Sequence, residues 1–420
     1  MTAEIGVLNT IGVALAADSA VSVGNHKVFN TAEKLFSLSK HHPVGIMIYG
    51  SAGLMHTPWE TIIKIYRKQL GDKKFSRLKN YCDDFLKYLT VDDRFRNDFL
   101  EKNSIISKFT SFLLEFLEET NNSIFEAFPQ KAPSNEEVQE ILKNSVDSQF
   151  SEFTELPYSK GFDSSFHDWF FNKYAEDIME VINENVNVDV DEEVAIKLIY
   201  IAASLCCKEE FGKDITGVVI AGFGEDDIFP ALHSYEIEGI YNGVLKYRDM
   251  HEAKVGEDCS ATIVPFAQQE MVHSFITGID PKLNREIELA FNALINEYTV
   301  GFEGILHEEI SQDQKDQLHN YGKELYDTIK SKLDDIINEN FTSPVIRTVS
   351  SLPKEELAAM AEALVNLTSI KRKMSTDRET VGGPIDVAVI SKGDGFIWIK
   401  RKHYFSPELN QGFINNYLSR

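Results

Sequence analysis

The first fifty residues alternate short apolar runs with polar turns, a pattern typical of β-hairpins. Apolar runs at 5–8 and 11–17 are separated by the polar pair Asn9-Thr10, and a second pair at 35–38 and 44–49 flanks a polar turn. These runs predict two pairs of neighbouring strands. The glycine-bearing turn 50–53 then leads into a helix, because apolar residues recur at helical spacing from Trp59 to Leu70.

The middle of the chain changes to helical periodicity with few strand signals. Ser134 and Glu137 have the spacing of a capping box, which predicts a helix start. Apolar residues share one helical face further on, at Leu198, Ile199, Ala202, Leu205 and Cys206. Strands are predicted at 217–223, 231–237 and 261–266, helices within 268–340 and at 355–373, and a closing strand pair at 385–390 and 396–399.

The order of elements is therefore strands, helices, strands, helices, strands. It predicts an α+β fold in which two sheets lie between helical layers. We expect the chain to divide into a first part of the sandwich, a helical insertion, central strands, a helical extension, and a closing helix with strands. The corresponding ranges are 1–71, 72–211, 212–280, 281–350 and 351–420.

Composition and charge exclude several classes of function. The chain has 420 residues, 43% of them hydrophobic, and a formal net charge of −24. So acidic a chain is not expected to bind nucleic acid or an anionic membrane, and the short basic run 400–402 suits a solvated strand end. The opening stretch lacks the basic n-region of a signal peptide, and no apolar run approaches the roughly 20 residues of a membrane span. We expect a soluble, cytoplasmic protein.

The four cysteines contain no CxxC pair. Cys206 and Cys207 are adjacent within an apolar helical pattern, and Cys82 and Cys259 stand alone. This spacing favours reduced, buried thiols over a disulfide framework or a zinc site.

Three residues near the N-terminus carry candidate chemistry. Thr2, Asp18 and Lys34 are separated by 16 residues each and lie at ends of predicted strands. A threonine that begins a mature chain has its own base, because the free α-amino group has a pKa of about 7.7–8.0. A neighbouring lysine would lower the pKa of that amine, and a carboxylate would hold the lysine in place.

These residues, with the run from Gly12 to Asp18 and Glu33-Lys34-Leu35, resemble the catalytic β subunits of proteasomes and their bacterial relatives. The resemblance covers residues 2–68, 216–280 and 355–400. It implies a four-layer αββα sandwich, the N-terminal-nucleophile hydrolase fold, with an added helical lobe. It also implies a threonine-type hydrolase that cleaves peptide bonds after Met1 is removed.

The resemblance assigns the roles residue by residue. Thr2 would be the nucleophile, Lys34 would tune its amine, Asp18 would hold Lys34, and the N–H of Gly50 would bind the oxyanion. Further roles implied in the same way are support of the amine by Asp377 and Thr380, and substrate binding by Ser22. The sequence departs from the family at Thr380, where a serine is usual, and at 266–269, which replaces a Gly-Ser-Gly turn.

No metal or organic cofactor is implied, because this chemistry is complete without one. The expected partners are a peptide or unfolded protein substrate and further copies of the chain, and an ATPase or other protein partner stays open. Two alternatives remain. One is a catalytically silent assembly or scaffold protein that keeps the fold and Met1, and the other is an amidase acting on a small-molecule amide.

Other polar clusters fit ordinary surface positions better than sites. The pair His41-His42 and the run 307–309 lack metal-ligand spacing, so exposed loop and helix positions are expected. The turn 222–227 matches neither a phosphate loop nor a complete calcium loop. The aromatic run 169–171 is expected to fill a helical core.

Overall fold

A computed structural model describes residues 3–23, 27–129, 131–257, 259–306, 311–374, 382–403, 405–412 and 415. Its strands are β1 (Ala3–Asn9), β2 (Gly12–Ala17), β3 (Val21–Val23), β4 (Lys27–Phe29), β5 (Leu35–Ser37), β6 (Val44–Gly50), β7 (Gly53–Leu54), β8 (Thr57–Pro58), β9 (Thr216–Gly222), β10 (Ala231–Tyr241), β11 (Val244–Lys254), β12 (Ala261–Ala267), β13 (Asp386–Ser391) and β14 (Gly395–Lys400).

The helices fall mainly between β8 and β9 and between β12 and β13. They are α1 (Trp59–Leu70), α2 (Leu78–Val91), α3 (Asp98–Ala127), α4 (Asn135–Glu155), α5 (Ser165–Asn185), α6 (Glu192–Cys207), α7 (Glu270–Thr277), α8 (Pro281–Leu306), α9 (Gln312–Ile337), α10 (Ser343–Ser350) and α11 (Lys354–Met374). A π-helical turn, Asn338–Thr342, joins α9 to α10, and a 3-10 turn spans Pro407–Leu409.

Two antiparallel sheets of five strands dominate the β structure. The first has the order β12-β1-β2-β13-β14 and the second the order β11-β10-β9-β6-β5. The predicted pairs β1–β2, β5–β6 and β13–β14 are confirmed, as is the α+β class. Since β1 pairs with both β2 and β12, the N-terminal strand lies inside the first sheet, where both of its edges are hydrogen-bonded.

Alternation along the strands divides the apolar side chains among three cores. Ile5 and Val7 of β1 join a cluster with Leu357 and Leu364 of α11. The other face of the first sheet and one face of the second sheet supply the residues of a second cluster. A third cluster joins the second sheet to α1 and α2 through residues such as Trp59, Phe85 and Val218. Each large apolar side chain so buried contributes about 1.5–3 kcal/mol.

The sequence pattern did not reveal β11. Only Leu245 and Lys246 of its residues are buried, and the rest of the strand is half-buried or exposed and largely polar. This is the composition of an edge strand, whose hydrogen bonds to β10 order it although its side chains supply little apolar signal.

Helices α3 to α6 share an aromatic core of their own. Phe109, Phe170 and Leu198 belong to one buried cluster, which Tyr241 of β10 also enters. The predicted capping box is confirmed, because Ser134 Oγ accepts from the N–H of Glu137 and the Glu137 carboxylate accepts from the N–H of Ser134. The expectation of a buried aromatic run is wrong at Phe171, which is 47% exposed on the outer face of α5.

Three of the four cysteines are buried as expected, and all four are free thiols. Burial raises the pKa of the Cys206 thiol to about 12, which keeps it protonated and unreactive. The expectation is wrong for Cys259, which is exposed because it lies in the turn between β11 and β12.

Helices α8 and α9 form a solvated pair. The rings of Phe291 and Tyr326 are 5.4 Å apart across their contact, and α9 has no buried residue. None of the helices in the described ranges combines the length and the hydropathy that crossing a membrane requires.

His167 of α5 carries a pH-dependent part of the stability. Its ring stacks on Tyr200 with centroids 4.2 Å apart, and Nε2 lies 3.0 Å from Ser204 Oγ. Burial, with a smaller contribution from Lys208, lowers the pKa of His167 to about 4. The pKa of a histidine in the unfolded chain is about 6.5, so the ring is neutral in both states well above that pH. As the pH drops from about 6.5 toward 4, the unfolded state takes up the proton first, and the free energy of unfolding falls.

We expect the His167→Gln variant to lose less stability on acidification than the wild type. Between about pH 7.5 and about pH 5.5 the free energy of unfolding should fall by about 1 kcal/mol more in the wild type than in the variant, after allowance for the partly exposed ring. Urea unfolding at the two pH values measures it. The wild type is the control, because the two proteins share all the other histidines. Equal losses of stability in the two proteins would contradict the role of His167.

Candidate active site

Asp18 ties the start of β1 to the end of β2. Its side chain is 1% exposed. The N–H of Ala3 donates to Asp18 Oδ1 at 3.3 Å, and the N–H of Asp18 donates to the carbonyl of Ala3 at 3.1 Å. Oδ2 accepts from the N–H of Gly382 at 2.9 Å. Asp18 therefore holds Ala3, the residue that follows Thr2 in the sequence, in place.

Lys34 extends from the start of β5 to the first sheet. Its Nζ lies 2.5 Å from Asp18 Oδ1, and its side chain is 7% exposed. The N–H of Ile48 donates to the Lys34 carbonyl at 2.9 Å, which fixes the backbone on the second sheet. The structure thus brings together two of the residues that the sequence selected, as a buried ion pair between the sheets.

Glu4 is a third charged group at this position, and the sequence interpretation missed it. The residue is 0% exposed, and its Oε1 lies 3.5 Å from Lys34 Nζ. The signal in the sequence was a carboxylate among the apolar residues of β1, two residues before Gly6 on the same face. Burying a carboxylate is costly without a partner, so the contact with Lys34 is a defining feature of the cluster.

Gly50 ends β6 in a conformation that favours glycine. Its φ is +82°, and an added Cβ would lie 2.3 Å from the carbonyl oxygen of Ile215. The neighbouring N–H of Ser51 donates to that same carbonyl at 2.9 Å. Trp59 Nε1 donates to Thr216 Oγ1, and Thr216 Oγ1 donates to the Ser51 carbonyl. This turn is therefore held by side chains from α1 and β9.

Residues 266–269, where the resemblance predicted a departure from a Gly-Ser-Gly turn, include the end of β12. Ala267 pairs with Ala3 and has a φ of +59°, a left-handed conformation that is uncommon for a residue with a Cβ. Arg372 Nε of α11 donates to Gln268 Oε1 at 2.5 Å. A cleft of about 290 Å³ opens here, with Gln268, Lys371 and Arg372 in its lining. Polar side chains of α11 thus lie next to the strand that pairs with Ala3.

Four further predicted site residues are Thr2, Ser22, Asp377 and Thr380. Thr2, Asp377 and Thr380 lie outside the described residues. Ser22 belongs to β3, where it pairs with Val28 of β4. Among the described residues no group of His, Cys, Asp and Glu has the geometry to hold a metal ion.

The chain was compared with known proteins. No protein-family model matches it, and no curated protein does. Among solved structures, Anbu (ancestral beta-subunit) from Yersinia bercovieri is 10% identical with a TM-score of 0.29, over 99% of this chain and 94% of that one. An Anbu (Gly-1) mutant from Hyphomicrobium sp. strain MC1 is 9% identical with a TM-score of 0.31, over 100% and 96%.

A helical assembly of the Anbu complex from Pseudomonas aeruginosa is 9% identical with a TM-score of 0.28, and the alignment covers 99% of this chain and 94% of that one. At identities and TM-scores of this size, the site and its chemistry rest on the residues of this chain alone.

Proposed function

We propose that the chain is a threonine-type N-terminal-nucleophile hydrolase that cleaves peptide bonds. The observation that supports this most directly is the buried ion pair of Lys34 and Asp18. Its carboxylate also accepts from the N–H of Ala3, the residue that follows Thr2. A lysine beside the terminal amine would lower the pKa of that amine, and a carboxylate beside the lysine would hold the lysine in place.

The proposed fold is a four-layer αββα sandwich, in which the two sheets face each other and helices cover their outer faces. In this proposal 72–211 is a helical insertion and 281–350 a helical extension, and the sandwich consists of 1–71, 212–280 and 351–420. Assembly into a homo-oligomer belongs to the same proposal.

In the reaction, Thr2 Oγ forms a bond to the carbonyl carbon of the substrate while the Thr2 amine takes the hydroxyl proton. The Gly50 N–H would donate to the oxygen on which negative charge develops. The scissile C–N bond then breaks, and the leaving amine receives the proton. Water attacks the resulting ester and gives a proton to the amine. The C–O bond to Thr2 then breaks to release the acid, and Thr2 Oγ takes the proton back from the amine.

Lys34 and Asp18 act on the amine by charge and position. The ammonium of Lys34 disfavours a second positive charge nearby, which lowers the pKa of the Thr2 amine and leaves more of it neutral at neutral pH. Asp18 holds Lys34 Nζ at one place through the 2.5 Å contact. Both effects need the low exposure of the pair, because water would screen the charges.

We expect the chain, expressed without an N-terminal tag, to lose Met1 and to react with a peptide epoxyketone at Thr2. The reason is that this electrophile requires both a hydroxyl and a free amine on one residue. Intact mass gives the first result, and peptide mapping of the adduct gives the second.

The Thr2→Ala variant is the matched control and should acquire no adduct. A wild-type protein that keeps Met1 and stays unmodified would contradict the hydrolase and favour a silent assembly protein. Turnover of a simple amide but not of a fluorogenic peptide would instead favour a small-molecule amidase.

A further inference from the structure

Helices α8 and α9 form a hairpin with almost no core of its own. Among their described side chains only Ile295 is buried, and α9 buries none of its 26 residues. The helices are antiparallel, because successive contacts step down α8 and up α9: Ile295 lies against Gly322, Phe291 against Tyr326, and Glu288 against Lys330. A helix of this length takes most of its stability from packing of an apolar face, and the contact between α8 and α9 supplies only part of that packing.

Exposed apolar side chains form one stripe along α9. Its members recur at intervals of three or four residues, which places them on one side of the helix. They are Leu318, Tyr321, Leu325, Ile329, Leu333 and Ile336. All but Leu318 are 43–57% exposed. The opposite side of α9 is polar and includes Asn320, Asp327 and Asp334, so the helix is amphipathic.

Helix α8 widens this stripe into a face. Leu294 follows Phe291 by three residues, just as Ile329 follows Tyr326 by three. In an antiparallel pair, equal offsets from two facing residues point to the same side of the pair. Leu283 precedes Leu294 by eleven residues, or three turns, and lies on that side as well. Leu283, Ile287 and Leu294, together with the stripe of α9, are called the hairpin face below.

The hairpin face has the apolar area of one side of a standard protein interface. With about half of most of its side chains exposed, it offers roughly 500 Å², taking about 120 Å² for a whole large apolar side chain. A standard interface buries about 800 Å² per partner, of which about 57% is apolar, or roughly 450 Å². The hairpin face therefore suits a protein partner rather than a small ligand.

The pattern of apolar residues selects a second copy of this chain as that partner. The six members of the α9 stripe form three pairs equally distant from position 327, namely 325 with 329, 321 with 333, and 318 with 336. On α8, Ile287 and Leu294 are equally distant from the midpoint between 290 and 291, and Phe291 at that midpoint faces Tyr326. One two-fold axis at this level, perpendicular to the helices, superimposes the apolar pattern of both helices on itself. A two-fold contact between identical chains requires such self-complementarity.

The charges beside the stripe fit the same axis. Glu324 and Lys332 are exposed and lie three and eleven residues after Tyr321, at the edge of the stripe away from α8. An antiparallel second copy brings Glu324 of one chain within two residues, about 3 Å along the helix, of Lys332 of the other. Opposite charges therefore face each other twice at the rim of the contact.

We propose that the hairpin face binds the same face of a second copy of this chain, so that two hairpins of α8 and α9 pack as an antiparallel four-helix bundle around a two-fold axis level with position 327. The bundle covers the apolar side of both hairpins and leaves their polar sides in water. This inference rests on the homo-oligomer of the proposed function, to which it gives a surface and a symmetry, and it is independent of the chemistry at Thr2.

The test measures the molar mass of the full-length chain by sedimentation equilibrium. We expect the wild type to be a dimer or a multiple of a dimer. Leu325→Glu places a carboxylate near the axis and should raise the dissociation constant of the two-fold contact by about 100-fold or more. Asn320→Glu adds the same charge on the polar side of α9, so this matched control should leave the dissociation constant unchanged.

Two further comparisons test the geometry of the contact. Glu324→Lys should weaken the contact by about threefold to tenfold, and the double variant with Lys332→Glu should restore it, because the two charges have exchanged places. Thr328→Cys in a Cys259→Ser background places a thiol one residue from the axis and should give a covalent dimer with a short bismaleimide. Asn320→Cys in the same background should not.

An oligomer that Leu325→Glu leaves intact would overturn the hairpin contact and leave the proposed homo-oligomer standing. A monomeric wild type would overturn both, and neither result bears on the hydrolase, which the Thr2 adduct tests. A wild type that dimerises through this face but forms no adduct would overturn the hydrolase and support the inference drawn from α8 and α9.

Discussion

Replacing Lys34 with alanine is expected to lower the free energy of unfolding by about 3–5 kcal/mol and any Thr2-dependent hydrolysis by about 10²–10⁴-fold. The loss of stability follows from the contacts of the side chain. Without its ammonium, the buried carboxylates of Asp18 and Glu4 each lose their contact with Lys34. Urea unfolding and turnover of a fluorogenic peptide measure the two effects.

Three further variants separate charge from structure. Lys64→Ala removes an exposed lysine that pairs with Glu60 on α1, and should change stability by less than about 0.5 kcal/mol. Lys34→Arg keeps a cation and should recover much of the stability. Adding Glu4→Gln to Lys34→Ala should recover part of the stability, because one of the two carboxylates that lost their contact with Lys34 is then neutral. A stable and fully active Lys34→Ala protein would show that the cluster is neither a structural centre nor a catalytic one.

The part of this cluster that the sequence predicted depends on local pattern. Asp18 and Lys34 each lie beside a short apolar run, and strands that begin and end there place the two side chains at one end of the sheets. Both strands pair with sequence neighbours across short turns, so the hydrophobic pattern was sufficient to locate their ends.

The remaining contacts depend on pairings that no local pattern contains. Gly382 reaches Asp18 across 364 residues of sequence, and Ala267 reaches Ala3 through the register of β12 on β1. Glu4 looked like the polar start of an apolar run, and only the pairing of β1 on both edges shows that it is buried. Long-range register, rather than propensity, determines these contacts.

Replacing Gly50 with alanine is expected to destabilise the protein by about 3 kcal/mol, through two separate effects. The left-handed conformation alone costs a residue with a Cβ about 1–2 kcal/mol. The second effect is steric, because the new Cβ would lie 2.3 Å from the Ile215 carbonyl oxygen, and backbone rather than a flexible side chain would have to move. Moving it would disturb the carbonyl that accepts from Ser51 N–H.

Gly395→Ala is the matched control for the first effect. Gly395 has a φ of +78°, and no heavy atom of the described residues beyond its chain neighbours lies within 4 Å of the Cβ position. It should therefore cost only about 1 kcal/mol, the conformational part. Urea unfolding of both variants isolates the steric part as their difference. Equal losses of stability in the two variants would mean that the Ile215 carbonyl moves at little cost. The end of β6 would then be too flexible to hold an N–H at a fixed position for a developing oxyanion.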